Sequence, residues 1–157
     1  MELTIGWGVI AKVMVAGIGT YVLLPAILVV RDWLLWKAIE RLILTSRLRT
    51  LISMRANDIW HLNNKYNYER KLEVGPGGAR YFLNGIEVDE KQYSDVNSAI
   101  ELHSTRANSA GAEITWKSNL IDWLLRHYKQ EGDANPITVW EEEASQSAAR
   151  INSKTVS

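Results

Sequence analysis

A long uncharged apolar stretch near the amino terminus dominates the pattern of the chain. Residues 13–30 carry no charge over eighteen positions, and Lys12 is the one charged residue between Glu2 and Arg31. A bilayer core about 30 Å thick needs roughly 20 apolar residues in a helix. The pattern therefore predicts a transmembrane anchor over residues 1–31.

Aromatic, small and basic residues occur where a membrane helix would place them. Trp7 and Trp33 are 26 residues apart, which is ~39 Å along a helix and approaches the ~40–45 Å between headgroup layers, where indole rings concentrate. A lysine can extend its amine to the headgroups, and glycine and proline are tolerated within membrane helices. Small residues and a mid-span tyrosine also favour a neighbouring helix. The predicted span and interface residues are Trp7, Lys12, Gly17, Gly19, Tyr21, Pro25, Arg31, Trp33 and Trp36.

Two other interpretations of the apolar stretch remain open. A signal peptide is less favoured, because the chain starts with Met1-Glu2 rather than basic residues, the apolar run is long, and no A-x-A-like site follows it. A buried or interfacial helix would have a similar composition. For a span, the basic residues that follow from Arg31 onward predict that the amino terminus faces outward. The rest of the chain is then expected in the cytoplasm or an equivalent interior.

The next segment, residues 32–65, predicts a basic amphipathic helix. Apolar residues recur at roughly helical spacing from Leu35 to Ile59, with arginines between them. A helix of this kind directly after a span is typical of binding to the membrane surface. The alternative is that its apolar stripe packs on the rest of the protein or on a second copy. The predicted basic surface comprises Arg41, Arg47, Arg49 and Arg55.

A small α+β domain is predicted over residues 66–131. The sequences Gly75-Pro76-Gly77-Gly78 and Asn84-Gly85 are typical of turns, and the second suits a type I′ hairpin. These turns divide an antiparallel meander, and the predicted strands are 68–74, 80–83 and 86–88. The expected fold is thus mostly α, with one membrane helix, one basic juxtamembrane helix and this α+β region.

Helices are predicted again after the meander. Asp89 is positioned to cap a helix over about 90–108, and Gln92 has the spacing of its capping-box partner. A second helix follows Gly111, or the two form one helix bent near this glycine. Residues 132–157 turn to Ser, Ala, Glu and Asn and predict a flexible tail, with Ile137, Val139 and Trp140 as its docking residues.

Composition and candidate chemistry exclude functions rather than identify one. The 157-residue chain has 18 basic residues, 18 acidic residues and no cysteine. Bulk charge therefore does not favour nucleic acid, and disulfides, thiolate zinc sites and cysteine nucleophiles are excluded. His61, His103 and His127 lack metal-site spacing and are expected at surfaces or interfaces, and no hydrolase motif is present. The sequence predicts a non-catalytic protein without a metal, a cofactor or a small-molecule substrate.

The function expected from these features is structural. The short length, the basic helix and the hairpin sequence YFLNGIEV resemble the general make-up of small phage or viral membrane proteins, although no family motif is present. We expect a membrane-anchored subunit of a larger assembly, with the lipid bilayer and other protein subunits or its own copies as partners. A holin-like or pore-forming protein is one alternative, and a soluble helical binding module is another.

Overall fold

The computed structural model describes residues 6–128, 132 and 134–154 and divides into two compact units. The first unit is Met1–Ile43 and the second is Leu44–Ser157. The division lies later than the predicted end of the anchor at residue 31. The difference arises because the apolar helix continues without a break through the charged residues that follow Val30.

Helix α1, Trp7–Ile43, and its N-cap residue Gly6 make up the described part of the first unit. It consists of α-helical segments Trp7–Ile18 and Leu24–Ala38, joined and followed by wider π-helical turns at Gly19–Leu23 and Ile39–Ile43. Pro25 explains the first π-helical turn. It has no N–H to donate and its ring would clash with the carbonyl four residues back, so the helix widens just before it. The Leu24 N–H accordingly donates to the carbonyl of Gly19, five residues back.

Three helices and a small sheet form the described part of the second unit. Helix α2 is Ser46–Asn64, α3 is Glu90–His127 and α4 is Pro136–Ser153. The N-cap of α2 is Thr45, whose hydroxyl accepts from the Leu48 N–H, and that of α3 is Asp89, whose carboxylate accepts from the Gln92 N–H. Helix α2 packs along both α3 and α4, whereas α3 and α4 touch each other at few points. Helix α2 therefore lies between the other two helices and takes part in most of the helix–helix contact of the unit.

The core of the second unit follows helical spacing. Leu48 and Ile52 are buried on α2, one turn apart, and small residues on α3 allow the two helices to approach closely. Helix α4 adds Ile137 near its start and Ala148 near its end. The buried residues of α3 are Ala107, Ala110, Ile114, Ile121 and Leu125.

The predicted antiparallel meander is confirmed. Strands β1, Arg70–Gly75, β2, Gly78–Leu83, and β3, Ile86–Val88, pair in the order β1-β2-β3. Asn84 and Gly85 connect β2 to β3 with φ angles of 50° and 77°, as the type I′ turn requires. Leu83 is buried and the Tyr81 ring lies 5.1 Å from that of Tyr93, so one face of the sheet packs on α3.

Gly111 does not end a helix, and α3 is continuous through it. A Cβ atom at this position would lie 3.1 Å from Nε of Arg55. The missing side chain therefore leaves room for Arg55 to cross α3. Glycine costs about 1 kcal/mol relative to alanine inside a helix, which long flanking helical stretches can offset.

Two predicted segments differ from the structure. The helix expected over residues 32–65 is divided, since α1 ends at Ile43 and α2 begins at Ser46. The segment expected to be a flexible tail, 132–157, contains α4, although residues 155–157 lie outside the described residues. Helix α4 forms because Ile137 and Ala148 find an apolar partner surface that a composition-based argument does not include.

Asn135 joins α4 to α3. Its Oδ1 accepts from the Ile137 N–H, which caps α4, and its Nδ2 donates to the Ser118 hydroxyl and to Oδ1 of Asp122, both on α3. One side chain thus starts a helix and ties it to its neighbour. At the other end of α4, Nδ2 of Asn152 donates to Oδ1 of Asn57 on α2.

We expect Asn135→Ala to destabilise the second unit by about 1–2 kcal/mol, because it removes a helix cap and leaves polar groups of α3 unpaired. Urea unfolding of the full-length protein in mild detergent, followed by circular dichroism, measures the change. Asn119→Ala, at an exposed position of α3, is the matched control and should change stability by less than about 0.5 kcal/mol. Equal effects of the two substitutions would contradict this role of Asn135.

Candidate functional site

Helix α1 presents apolar side chains in every direction. Every residue from Trp7 to Val30 is exposed except Gly17 and Gly19, which are half-buried, and none of the most apolar 18-residue window is buried. A helix that is apolar all round is stable in water only when something covers it. By its length and composition, helix α1 is long and apolar enough to cross a membrane.

The predicted interface residues lie along this helix. Trp7, Trp33 and Lys12 are exposed, and Trp36 is half-buried. Tyr21 is highly exposed within the first π-helical turn, close to the exposed Pro25. Gly17 and Gly19 make the helix surface thin just before that turn.

Charged residues begin at the end of the apolar stretch and form local pairs. Nε and Nη2 of Arg31 donate to Oδ1 of Asp32 at 2.9 and 2.8 Å. Nζ of Lys37 lies 3.1 Å from Oε2 of Glu40, and Arg41 is exposed. Charged residues thus appear within one turn after Val30, although Trp33 to Trp36 are again apolar.

The three arginines of the predicted basic surface that lie on α2 contact acidic residues of the neighbouring helices. Arg47 pairs with Glu113 of α3 at 3.2 Å, and Arg55 pairs with Glu141 of α4 at 2.8 Å. Arg49 lies 3.8 Å from Glu143, and its guanidinium lies 5.4 Å from the centre of the Trp140 ring. Since each cation has a nearby carboxylate, this face of α2 attracts anionic headgroups less than the sequence alone suggests. Leu48 and Ile52 follow the alternative interpretation, in which the apolar stripe packs on the rest of the protein, because both are buried within the second unit.

A buried carboxylate lies on α2, where sequence analysis found no candidate. Asp58 is only 1% exposed. Its Oδ1 is 2.7 Å from Nδ1 of His103, and its Oδ2 is 3.2 Å from Nε of Arg106. Both partners lie on α3, one helical turn apart. A buried carboxylate is stable only when paired in this way, so the cluster fixes the position of α2 along α3.

His61 extends the cluster by ring stacking. Its ring centre lies 5.1 Å from that of His103 and 6.4 Å from that of Tyr66. Its Nδ1 is buried and has no hydrogen-bond partner among the described residues. Burial, followed by the positive charges of His103 and Lys65, lowers the pKa of His61 below its usual value. The helical spacings Asp58 to His61 and His103 to Arg106 are the sequence signal that could have indicated these two faces.

This arrangement joins helices and contains no assembled metal centre. Among the described residues, no group of three or more histidine or acidic side chains is arranged to hold a metal ion. Oδ1 of Asp58, which could act as a ligand or base, is instead engaged by His103. His127 lies apart from the cluster and stacks on Trp123, at 5.2 Å between ring centres. The three histidines therefore do not converge on one site.

We expect His61 to make the second unit less stable as pH falls below 6.5, the ordinary pKa of a histidine side chain. A lowered folded-state pKa means that the unfolded chain binds the proton more tightly, so this loss begins near 6.5 and levels off below the folded pKa. Unfolding free energies of wild type and His61→Gln, measured at about pH 7.5 and about pH 5, test this. The wild type should lose stability relative to His61→Gln. The difference between wild type and Asn119→Ala, which has no titrating group, should stay constant, and a constant difference for His61→Gln as well would contradict the prediction.

Comparison with known proteins gives no indication of function. No family model matches the chain, and no similar curated protein and no similar solved structure were found. The features that bear on function are therefore the exposed apolar helix α1, the helical second unit that follows it and the surface which that unit leaves uncovered.

Proposed function

We propose that this chain is a single-pass membrane-anchored subunit of a larger assembly, with a structural or interaction role and no catalytic activity. The observation that carries the proposal is the uncovered apolar surface of α1. Residues 13–30 are uncharged and exposed around nearly the whole helix. A bilayer is the partner that covers such a surface on all sides at once, since one protein partner would cover only one face.

The ends of α1 fit this proposal. Trp7 and Trp33 lie at a separation that matches the two headgroup layers, and Arg31 and Asp32 begin the charged region just inside the second tryptophan. The hydrogen bonds between Arg31 and Asp32 would partly offset the cost of holding these charges near the hydrocarbon boundary.

The alternative of a pore is less favoured by the geometry of α1. A pore-lining helix needs polar side chains along one face. The polar candidates are Lys12, Thr20 and Tyr21. At about 100° per residue, Thr20 lies about 80° and Tyr21 about 180° around the helix from Lys12, so the three form no continuous polar stripe. The alternative of a soluble binding module needs residues 13–30 to be buried, and none of the most apolar window is buried within the described chain.

An interaction role is supported by the surface of the second unit. Trp116 and Trp123 lie seven residues apart on α3, and both are exposed. Aromatic residues seven apart share a helix face, and exposed clusters of large apolar side chains commonly mark contact sites. The polar chemistry of the unit is engaged in joining its own helices, as in the cluster of Asp58, His103 and Arg106.

We expect the full-length protein to stay in the pellet when membranes of expressing cells are washed with alkaline carbonate, because α1 would be embedded in hydrocarbon. Val22→Asp combined with Leu28→Asp should release it, since each buried charge costs about 2.5–3.5 kcal/mol at the centre of a span. The matched control is Leu102→Asp in the second unit, because Leu102 is 55% exposed and Val22 is 58% exposed. Release of the wild type into the supernatant would contradict the anchor.

We also expect a tag placed after Ser157 to be protected from protease in intact cells or in vesicles of native orientation. Arg31, Lys37 and Arg41 follow the apolar stretch directly, and basic residues near a span stay on the cytoplasmic side. A tag placed before Met1 should be digested in the same sample, and it serves as the internal control. Digestion of the carboxyl-terminal tag alone would reverse the proposed topology.

A further inference from the structure

Strand β1 is an open edge of the sheet. Within the part of the chain that the structure describes, it pairs with β2 on one side only, and all residues of Arg70–Gly75 are exposed. Leu72 and Val74 are 52% and 79% exposed, although they lie on the sheet face that carries Leu83. An edge strand with unpaired backbone groups and exposed apolar side chains is a template for a further strand.

The backbone of β1 shows which groups are available. The Asn84 N–H donates to the carbonyl of Glu69, and the Glu69 N–H donates to Oδ1 of Asn84, so the backbone of Glu69 points toward β2. Orientation alternates along an antiparallel strand. The N–H and C=O groups of Arg70, Leu72 and Val74 therefore point away from β2, toward the open edge.

We propose that β1 pairs antiparallel with β1 of a second copy of this chain, across a two-fold axis at Leu72. In this register Leu72 lies opposite Leu72 of the partner subunit, and Arg70 lies opposite Val74 of the partner subunit. The outward backbone groups would then form about six hydrogen bonds. The two three-stranded sheets would join into one, and the apolar side chains of Leu72 and Val74 from both copies would lie together on one face.

The charges of β1 select this register. Lys71 and Glu73 lie on the opposite face of the strand from Leu72 and contact each other, with Nζ and Oε1 2.6 Å apart. Pairing about Leu72 places Lys71 opposite Glu73 of the partner subunit, and the symmetry repeats the pair. A shift of two residues places Lys71 against Lys71 of the partner subunit or Glu73 against Glu73 of the partner subunit. Charged edge residues usually prevent strand pairing. Here Lys71 of each copy faces Glu73 of the partner subunit in one register, so the charges are complementary.

This inference names one partner of the subunit proposed above and in that sense rests on it. Its test is separate, because strand pairing can be measured in detergent whether or not α1 crosses a membrane. A failure of carbonate resistance would affect the anchor alone, and a failure of strand pairing would affect the inference alone.

Covalent capture between introduced cysteines tests the pairing. The chain has no cysteine, so Leu72→Cys in the full-length protein creates a single thiol, in mild detergent with a mild oxidant. Directly opposed Cα atoms in such a pair are about 5.5 Å apart, within the range that a disulfide spans. We expect a disulfide-linked dimer from Leu72→Cys. Ile86→Cys on β3, where Ile86 is 69% exposed, is the control for random collision and should crosslink about tenfold more slowly.

Charge exchange tests the register. In the Leu72→Cys background, Lys71→Glu should lower the crosslinking rate by about tenfold, because two symmetric pairs change from attraction to repulsion. Adding Glu73→Lys to that variant should restore the rate, since the exchanged charges are again complementary. Glu87→Lys on β3 should have no effect. Circular dichroism of every variant shows whether it is folded. For folded variants, three results would each overturn the proposal. They are no crosslinking at residue 72, equal crosslinking at residues 72 and 86, or a crosslinking rate that does not respond to the charge changes.

Discussion

The packing of α2 between α3 and α4 is the interaction on which the second unit depends. Since α3 and α4 touch each other at few points, α2 carries most of the contact that holds both. The buried carboxylate of Asp58 makes this packing specific, because its partners His103 and Arg106 lie at one place along α3. A slide of one turn would leave a charge buried without a partner, which costs several kcal/mol. Apolar burial thus stabilises the contact, and the carboxylate determines its register.

The two units differ in how their apolar surfaces are covered. The second unit buries its own apolar stripe, with Leu48 and Ile52 against neighbouring helices. The most apolar part of helix α1 has no such cover among the described residues, so its surface needs an outside partner. The open edge of β1 also needs a partner, because its outward N–H and C=O groups lack a strand partner among the described residues. A bilayer for α1 and a second copy for β1 are the partners that we propose, each chosen by the chemistry of the surface.

Features that depend on neighbouring residues in the sequence could be predicted from it. The apolar helix, the meander and the Asn84-Gly85 turn follow from composition and backbone preference, and Asp89 caps α3 as its spacing to Gln92 suggests. The limits of the helices were harder to predict. The charges after Val30 suggested the end of the anchor unit, yet hydrogen bonding inside a helix continues regardless of side-chain charge, and α1 extends to Ile43.

The sequence by itself determined which segment is apolar and where the chain turns, because these depend on residues only a few positions apart. Tertiary structure alone decided the partners of Asp58 and of the arginines of α2. Arg55 meets Glu141, which is 86 residues away along the chain, and Asp58 meets His103 after 45 residues. It also decided that α4 forms, since a short helix is marginal until its apolar side is buried against another element. Local pattern carries no information about such pairings, because the free energy that selects them arises only when distant surfaces come together and exclude water.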